Sequence, residues 1–456
     1  MSQLSNPIEQ LVQKNIKCHT CGRTHRTNLR TVLIARGALQ QLPQVMGRFH
    51  GRHIHIISDE NTMVAAGNEI VRILGGQGFD INNLILSPVI GPNDADLGHL
   101  TLSIPRETAA VIAVGSGSLH ELVKYWSFKS GVPFVSVPTA ASSDGFAMPT
   151  SIFLESGRKK LMKAESPVAM IADLDVILAA PKTLAPRGAA EVLSRMVSVF
   201  DWKLAQIVDE RFFCEDIAES LLSVVSDFVD SLQGSRPLYS VRSLEMLMRA
   251  LIFSGVVVSY AESTTPVWGS ESLLTECLFM TRSFNPSAIG HTSLLKAIAS
   301  ATCVRISESI AGKLPNFPLA ATLMEYYGWI TRHQELVRIY GDEASTIFSN
   351  ANSYTSHNKD VHKKNLSVLE TRWEDIVSAT MEIVRPYSEY REILRSCTLP
   401  YRFEDAGTKK SSAIDAILWS KELAEHYNLL TLVWELGEID SVADALTARM
   451  KDDIGQ

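Results

Sequence analysis

From residue 32 to residue 181, short runs of branched apolar residues alternate with stretches whose apolar positions recur three and four apart. VLIARGAL (32–39) reads as a strand and turn, HIHII (53–57) as a strand, MVAAGNEIVRIL (63–74) as a helix and NLILSPVI (83–90) as another strand. Val111–Val114 and PFVSVP (133–138) are two further apolar strands with a helical stretch between them. LMKAESPVAMIADLDVILAAP (161–181) extends this half and ends it at a proline. Strands alternating with helices predict right-handed βαβ units and a mainly parallel sheet. From Arg187 the period changes. Helical spacing fills 188–209, 214–233, 241–261, 269–281, 293–312, 318–338, 367–384 and 411–450, which predicts an all-helical second half. The polar stretch 356–365 reads as an exposed connection between helices. The expected fold class is therefore α/β plus all-α. A Rossmann-like parallel-sheet domain is expected over 1–184 and a helical domain over 185–456.

Composition narrows the functional classes. The chain has 456 residues, 46% of them hydrophobic, and a net charge of −7. That length carries two or three domains with large cores. The negative balance gives no electrostatic reason to expect nucleic acid or an anionic membrane. The most apolar region, Ala250–Tyr260, falls short of the ~18 residues that span a bilayer. MSQLSNPIEQLVQK has no basic region leading into an apolar run, so no secretory signal is expected. Six scattered cysteines point to a reducing compartment, and a cytoplasmic protein is the expectation.

Candidate chemistry concentrates at 111–145. The apolar run Val111–Val114 breaks into Gly115-Ser116-Gly117-Ser118, and a helix follows. Backbone N–H groups at such a helix start, with the helix dipole behind them, suit a pyrophosphate. PFVSVP then leads into a loop of small residues, Thr139 to Gly145, that contains Ser142 and Asp144. Ligands of open parallel sheets bind beyond the carboxyl ends of the strands. The loops after Ile57, Val114 and Val137 are thus expected on one rim. Each residue also has an ordinary reading. Asp59 caps the helix near Asn61, and Asp144 is a turn aspartate before glycine. Glu191 is a solvated helix carboxylate.

The segments CHTCGRTH (18–25), SDENT (58–62), AVGSGSLHELVKY (113–125), VPFVSVPTAASSDGFAMPTSI (132–152), AMIADLDVI (169–177), GAAEVLSRMVSVFDWKLA (188–205) and HYNLLTLVWELGEID (426–440) together resemble sn-glycerol-1-phosphate dehydrogenases. That family lies within the dehydroquinate synthase and iron-containing alcohol dehydrogenase superfamily. The resemblance implies an NAD or NADP cofactor, a divalent metal (usually zinc or nickel), a small-molecule substrate and a homodimer. It implies hydride transfer between dihydroxyacetone phosphate and glycerol 1-phosphate. It places Asp59 at the adenosine ribose and Gly115, Ser116, Gly117 and Ser118 at the pyrophosphate. Thr139 and Ser142 fall at the nicotinamide end, with Asp144 beside both nicotinamide and substrate.

The departures from the family fall on its metal site. The family aspartate is replaced by Glu191, its first histidine by Ser272 and a further histidine by Glu276. His291 survives in a Gly-His-Thr context, and Arg195 stands at the place of a lysine. A hydroxyl is a poor zinc ligand. A Glu191, Glu276 and His291 set is harder and suits Mg²⁺, Mn²⁺ or Fe²⁺ better; the other expectation is no metal at all. The catalytic candidates are Asp144, Glu191, Arg195 and His291. Lys159, Lys160 and Lys163 are candidates for an anionic substrate group, against a plain solvated loop. Cys18, Cys21 and His25 form one CxxC with a histidine. In one reading His19 or His25 completes a zinc site, though no second pair follows at the required spacing; in the other the segment is a structural N-terminus typical of the family. Three functions follow: a dehydrogenase, a lyase or cyclase of the same fold that uses NAD transiently, and a non-catalytic NAD-binding relative.

Overall fold

The computed structural model describes residues 15–88, 91–155, 158–234, 237–323, 329–347 and 359–451. The chain divides into two compact units, 1–192 with 214–263, and 193–213 with 264–456. The boundary expected at 184 is thus replaced by three chain crossings. The reason is packing: the helices Glu215–Asp230 and Val241–Ala261 pair with each other, and the second lies on the sheet strand Thr31–Ala35.

Among its described residues, the first unit holds ten strands. A small antiparallel ribbon pairs β1 (Ile16–Lys17) with β2 (Thr24–His25). The main sheet uses β3 (Thr31–Ala35), β4 (His53–Asp59), β5 (Asp80–Leu86), β6 (Ala110–Gly115), β7 (Phe134–Pro138) and β10 (Ala169–Asp173). Its order is β3-β10-β7-β6-β4-β5, parallel throughout. An antiparallel hairpin, β8 (Thr150–Glu155) with β9 (Arg158–Lys163), was not read from the sequence. Central strands of a covered parallel sheet bury both faces. In β6 every residue is buried: Ile112 and Val114 join one apolar cluster, Val111 and Ala113 the opposite one.

The chain order creates a switch point. From β4 it moves outward to β5; from β6 it moves the opposite way to β7 and β10. Open α/β sheets bind ligands at such a point, beyond the carboxyl ends of the two strands that flank it, here β4 and β6. Register carries the loops to one rim, as expected: Ser58 pairs with Val114, and Val114 with Val137.

The helix Val241–Ala261 is long and apolar enough to cross a membrane, with 78% of its apolar window buried inside the structure. A helix apolar all round is a core helix when protein covers it. Gly255 fits it closely: a Cβ there would lie 2.9 Å from backbone of Ala147 and Met148.

The second unit is helical among its described residues. Arg195–Asp209, Ser270–Met280 and Leu295–Ala311 match the helical periods. The stretch 356–365 differs from expectation: residues 356–358 lie outside the described residues, and a helix starts at Lys359. It buries His362 and Asn365, and Asn365 Nδ2 donates to Glu435 Oε1 at 2.8 Å. A polar run can be helical when its polar atoms find partners.

Candidate active site

The site in the first unit is built on three strand ends. β4 ends at Asp59, which is 7% exposed and starts the helical segment Glu60–Thr62. Thr62 N–H donates to Asp59 Oδ1 at 2.9 Å, and Asp59 N–H donates to Thr62 Oγ1 at 3.0 Å. This is a reciprocal capping box. The capping reading of Asp59 therefore holds, and Oδ2 has no hydrogen bond among the described residues. Ribose contact through Oδ2 is compatible with the cap.

β6 ends in Gly115 and feeds the helix Gly117–Ser130. Ser116 occupies the N-cap, yet its side chain makes no capping bond. The helix start therefore keeps its partial positive charge for another acceptor. A Cβ on Gly117 would lie 3.1 Å from Ser143 Cβ, so the glycine admits the neighbouring loop. His120 Nδ1 lies 2.9 Å from the Ser116 carbonyl and donates to it, which ties the turn to the first helical turn. Burial pushes the His120 imidazole down to about 4, so it is neutral at pH 7. Its other nitrogen has no hydrogen-bond partner among the described residues.

β7 ends in Pro138, and Thr139 N–H donates to the Gly115 carbonyl at 3.1 Å. The loops after β6 and β7 are thereby joined. Thr139 and Asp144 are buried, and Ser142 is half-buried. The structure thus brings Gly115–Ser118, Thr139, Ser142 and Asp144 onto one rim, with Asp59 across the switch point. The helix Ala185–Leu193 approaches this loop through Gly188, where a Cβ would lie 2.3 Å from the Ala141 carbonyl. Glu191 is half-buried on that helix.

Two residues that hold the loop were missed in the sequence. Lys124, fully buried, donates to Glu121 Oε1 at 2.8 Å and to the carbonyls of Gly145 and Thr150 at 2.6 Å each. Glu121 Oε2 accepts from Ile152 N–H at 2.7 Å. In sequence this pair is an ordinary i,i+3 ion pair on a helix face. Its burial is a tertiary fact. Lys160 and Lys163 are exposed on β9, and the side chain of Lys159 lies outside the described residues. A cavity of about 230 Å³ lined by Ala140, Pro181, Tyr239 and Leu244 adjoins the loop; none of the predicted site side chains lines it.

In the second unit, Ser272 is buried and donates to Glu271 Oε1 at 2.8 Å. Glu276 is half-buried one turn later on the same helix. His291 is exposed, with Nδ1 2.5 Å from Ser293 Oγ. Arg195 is fully buried and donates to the Val267 carbonyl. Asp201 was not singled out from the sequence. It accepts from Ser270 N–H at 2.5 Å and Leu429 N–H at 2.7 Å, and so caps two helices. Burial, with the Glu271 charge adding to it, pushes its carboxyl up to about 7. The imidazole that the family would place at 272 is thus a hydroxyl committed to a carboxylate. This donor set does not fit the nitrogen-bearing metal site of the family.

A family model described as iron-containing alcohol dehydrogenase matches residues 33–181. The chain is 38% identical over 256 residues to a glycerol-1-phosphate dehydrogenase [NAD(P)+] of Pyrococcus horikoshii, covering 55% of this chain and 72% of that protein. It is 27% identical over 290 residues to the protein of the same name from Halalkalibacterium halodurans, covering 60% and 72%. Its fold matches an iron-containing alcohol dehydrogenase from Thermococcus thioreducens with a TM-score of 0.58, at 11% identity, over 93% of this chain and all of that one. The switch-point rim, the glycine-serine turn and these likenesses agree: the chain belongs to the glycerol-1-phosphate dehydrogenase family, within the iron-containing alcohol dehydrogenases.

Proposed function

We propose that the protein is an NAD(P)-dependent dehydrogenase acting on a small, phosphorylated polyol. The observation that carries this reading is the placement of Asp59 and the Gly115–Ser118 turn on either side of the β4/β6 switch point. When bound, NAD(P)⁺ would supply the acceptor for a hydride from the carbinol carbon, with the hydroxyl proton passing to solvent, and its reduced form would supply the hydride for the reverse reduction of the ketone. The chain's own residues bind and orient. The N–H groups at the start of Gly117–Ser130 hold the pyrophosphate, and Asp59 Oδ2 accepts from a ribose hydroxyl. Thr139 and Ser142 line the nicotinamide end. Asp144 accepts a hydrogen bond from the substrate hydroxyl and aims its carbon at the ring. Glu191, half-buried on the helix whose Gly188 meets the Ala141 carbonyl, contributes to the substrate side. The enzyme works in the cytoplasm as a homodimer, as the family resemblance implies.

The departures at Glu191, Ser272 and Glu276 widen the substrate panel. Dihydroxyacetone phosphate is tested first, followed by other ketose and hydroxyketone phosphates, with NADH and NADPH, while cofactor absorbance is followed. The expected result is one reduced cofactor consumed per alcohol formed. Turnover with no net change in cofactor would instead establish the lyase-type reading. Binding of NAD without turnover of any member of the panel would establish a non-catalytic relative.

A further inference from the structure

Among the described residues, one group of His, Cys, Asp and Glu side chains comes within metal-ligand reach of one another. It consists of Cys18, Cys21, His25 and Cys214, whose ligand atoms all lie within 4.8 Å of one another. We propose that these four side chains form a closed, tetrahedral zinc site that fastens the N-terminal ribbon to the start of the helix Glu215–Asp230.

The spacing of the donors carries the proposal. Zinc bonds of about 2.3 Å to sulfur and about 2.0–2.1 Å to nitrogen, set at tetrahedral angles, separate two sulfurs by about 3.8 Å and a sulfur from a nitrogen by about 3.6 Å. Cys18 Sγ and Cys214 Sγ are 3.7 Å apart. His25 Nε2 lies 3.3 Å from Cys21 Sγ and 3.5 Å from Cys214 Sγ. Three of the six edges of the polyhedron thus lie within about 0.3 Å of the lengths that zinc requires, and all six are within 4.8 Å.

The surroundings prepare each ligand. His25 Nδ1 lies 3.0 Å from the Tyr260 carbonyl. A carbonyl only accepts, so Nδ1 carries the proton and Nε2 offers its lone pair towards the sulfurs of Cys21 and Cys214. A histidine ligand oriented by a carbonyl behind it is the usual outer-shell arrangement. Cys21 N–H donates to Cys18 Sγ at 3.4 Å, a bond that favours the thiolate. Gly22, at φ +72°, supplies the left-handed residue that turns the chain from β1 back into β2. Cys214 is the N-cap of Glu215–Asp230, where the helix dipole favours a thiolate.

Without a cation, burial pushes the thiols of Cys214 and Cys18 up. Cys18 Sγ then donates to Asp216 Oδ2 at 3.3 Å. Asp216 is half-exposed and also accepts from Thr20 Oγ1 at 2.9 Å, so it can turn to water once the thiol proton leaves. Zinc binding releases the thiol protons and places a divalent charge among three thiolates. Three sulfurs and one nitrogen form a soft set that prefers zinc to magnesium, calcium or manganese. Four protein ligands leave no open coordination position, so the site is structural rather than catalytic.

The test uses the full-length protein purified with a thiol reductant, and neither readout needs turnover, so it stands or falls apart from the dehydrogenase reading. Elemental analysis after dialysis against a chelator is expected to retain about one zinc per chain. Replacement with Co²⁺ is expected to give a sulfur-to-cobalt charge-transfer band in the near ultraviolet and the strong visible bands of a tetrahedral ion. Cys214→Ser and the milder Cys21→Ser, on a half-exposed cysteine, are expected to lose the zinc and lower Tm. Cys397→Ser, at a cysteine outside the cluster, is expected to keep the metal. A wild-type protein that binds neither zinc nor cobalt overturns the proposal whether or not the variants fold. So does zinc that persists in Cys21→Ser, or a cobalt spectrum lacking the sulfur band.

Discussion

Replacing Lys124 with methionine tests whether a buried ion pair sets the geometry of the nucleotide rim. Methionine keeps the unbranched stem and removes the charge and three donors. Left behind are Glu121 Oε1 and the carbonyls of Gly145 and Thr150, which Lys124 Nζ contacts at 2.8, 2.6 and 2.6 Å. Side-chain exposure is 0% for Lys124 and 14% for Glu121, so water cannot replace the ammonium at most of these atoms. Breaking a buried pair by removing one partner costs about 3–5 kcal/mol. Glu121 keeps its bond from Ile152 N–H and a little solvent, which places the expectation at the lower end, about 3 kcal/mol. The loss is read from the urea midpoint. Because Gly145 follows Asp144 directly and Ser143 packs on Gly117, cofactor affinity measured by calorimetry is expected to fall about tenfold, or about 1.4 kcal/mol. Adding Glu121→Gln removes the orphaned charge. The double variant is expected to be more stable than the sum of the single effects predicts by about 1–2 kcal/mol. A loss below about 1 kcal/mol in the single variant, or strict additivity in the double, refutes the clamp.

His120 gives a pH test. Its folded-state value of about 4 lies below the ordinary 6.5, so the unfolded chain takes the proton first as pH falls. Its contribution is present above pH 6.5 and is lost as pH drops towards 4, about 3 kcal/mol in all; His120→Gln should flatten that part of the pH dependence of the urea midpoint. Asp59→Ala removes the cap and is expected to cost about 1 kcal/mol and to weaken dinucleotide binding in calorimetry; unchanged affinity removes Asp59 from the cofactor site. Gly188→Ala drives a Cβ into the Ala141 carbonyl and is expected to destabilise by about 1–3 kcal/mol, with a higher KM for cofactor. Asp144→Asn is expected to lower kcat by about a hundredfold or more with cofactor affinity within about tenfold; undiminished turnover excludes Asp144 from the reaction.

The fold was legible where one signal dominated. Val111–Val114 and PFVSVP could be read as strands because their residues are branched, contiguous and bounded by glycine or proline. The two long helices Val241–Ala261 and Leu295–Ala311 were legible from period alone. The hairpin β8/β9 was not, because Thr150–Glu155 and Arg158–Lys163 carry lysine, arginine and glutamate, with no alternation strong enough to separate them from a loop. The domain boundary was not legible either. Periodicity shows that Glu215–Asp230 and Val241–Ala261 are helices; it does not show that they pack with the sheet.

Site residues follow the same division, and the reason is the distance over which each contact is made. The Gly115–Ser118 turn, the Asp59–Thr62 box and the Thr139–Asp144 loop are local constructions, so their residue types sit side by side in the chain and can be read there. Lys124 reaches Thr150 across 26 residues, and Cys214 meets His25 across 189. No spacing rule reaches that far. A search for a second CxxC near Cys18 fails because the remaining ligand is the cap of a helix in the later part of the same unit. Sequence therefore identifies a chemistry when its atoms come from one turn of chain; where the atoms come from separate elements, the fold has to bring them together before the chemistry can be read.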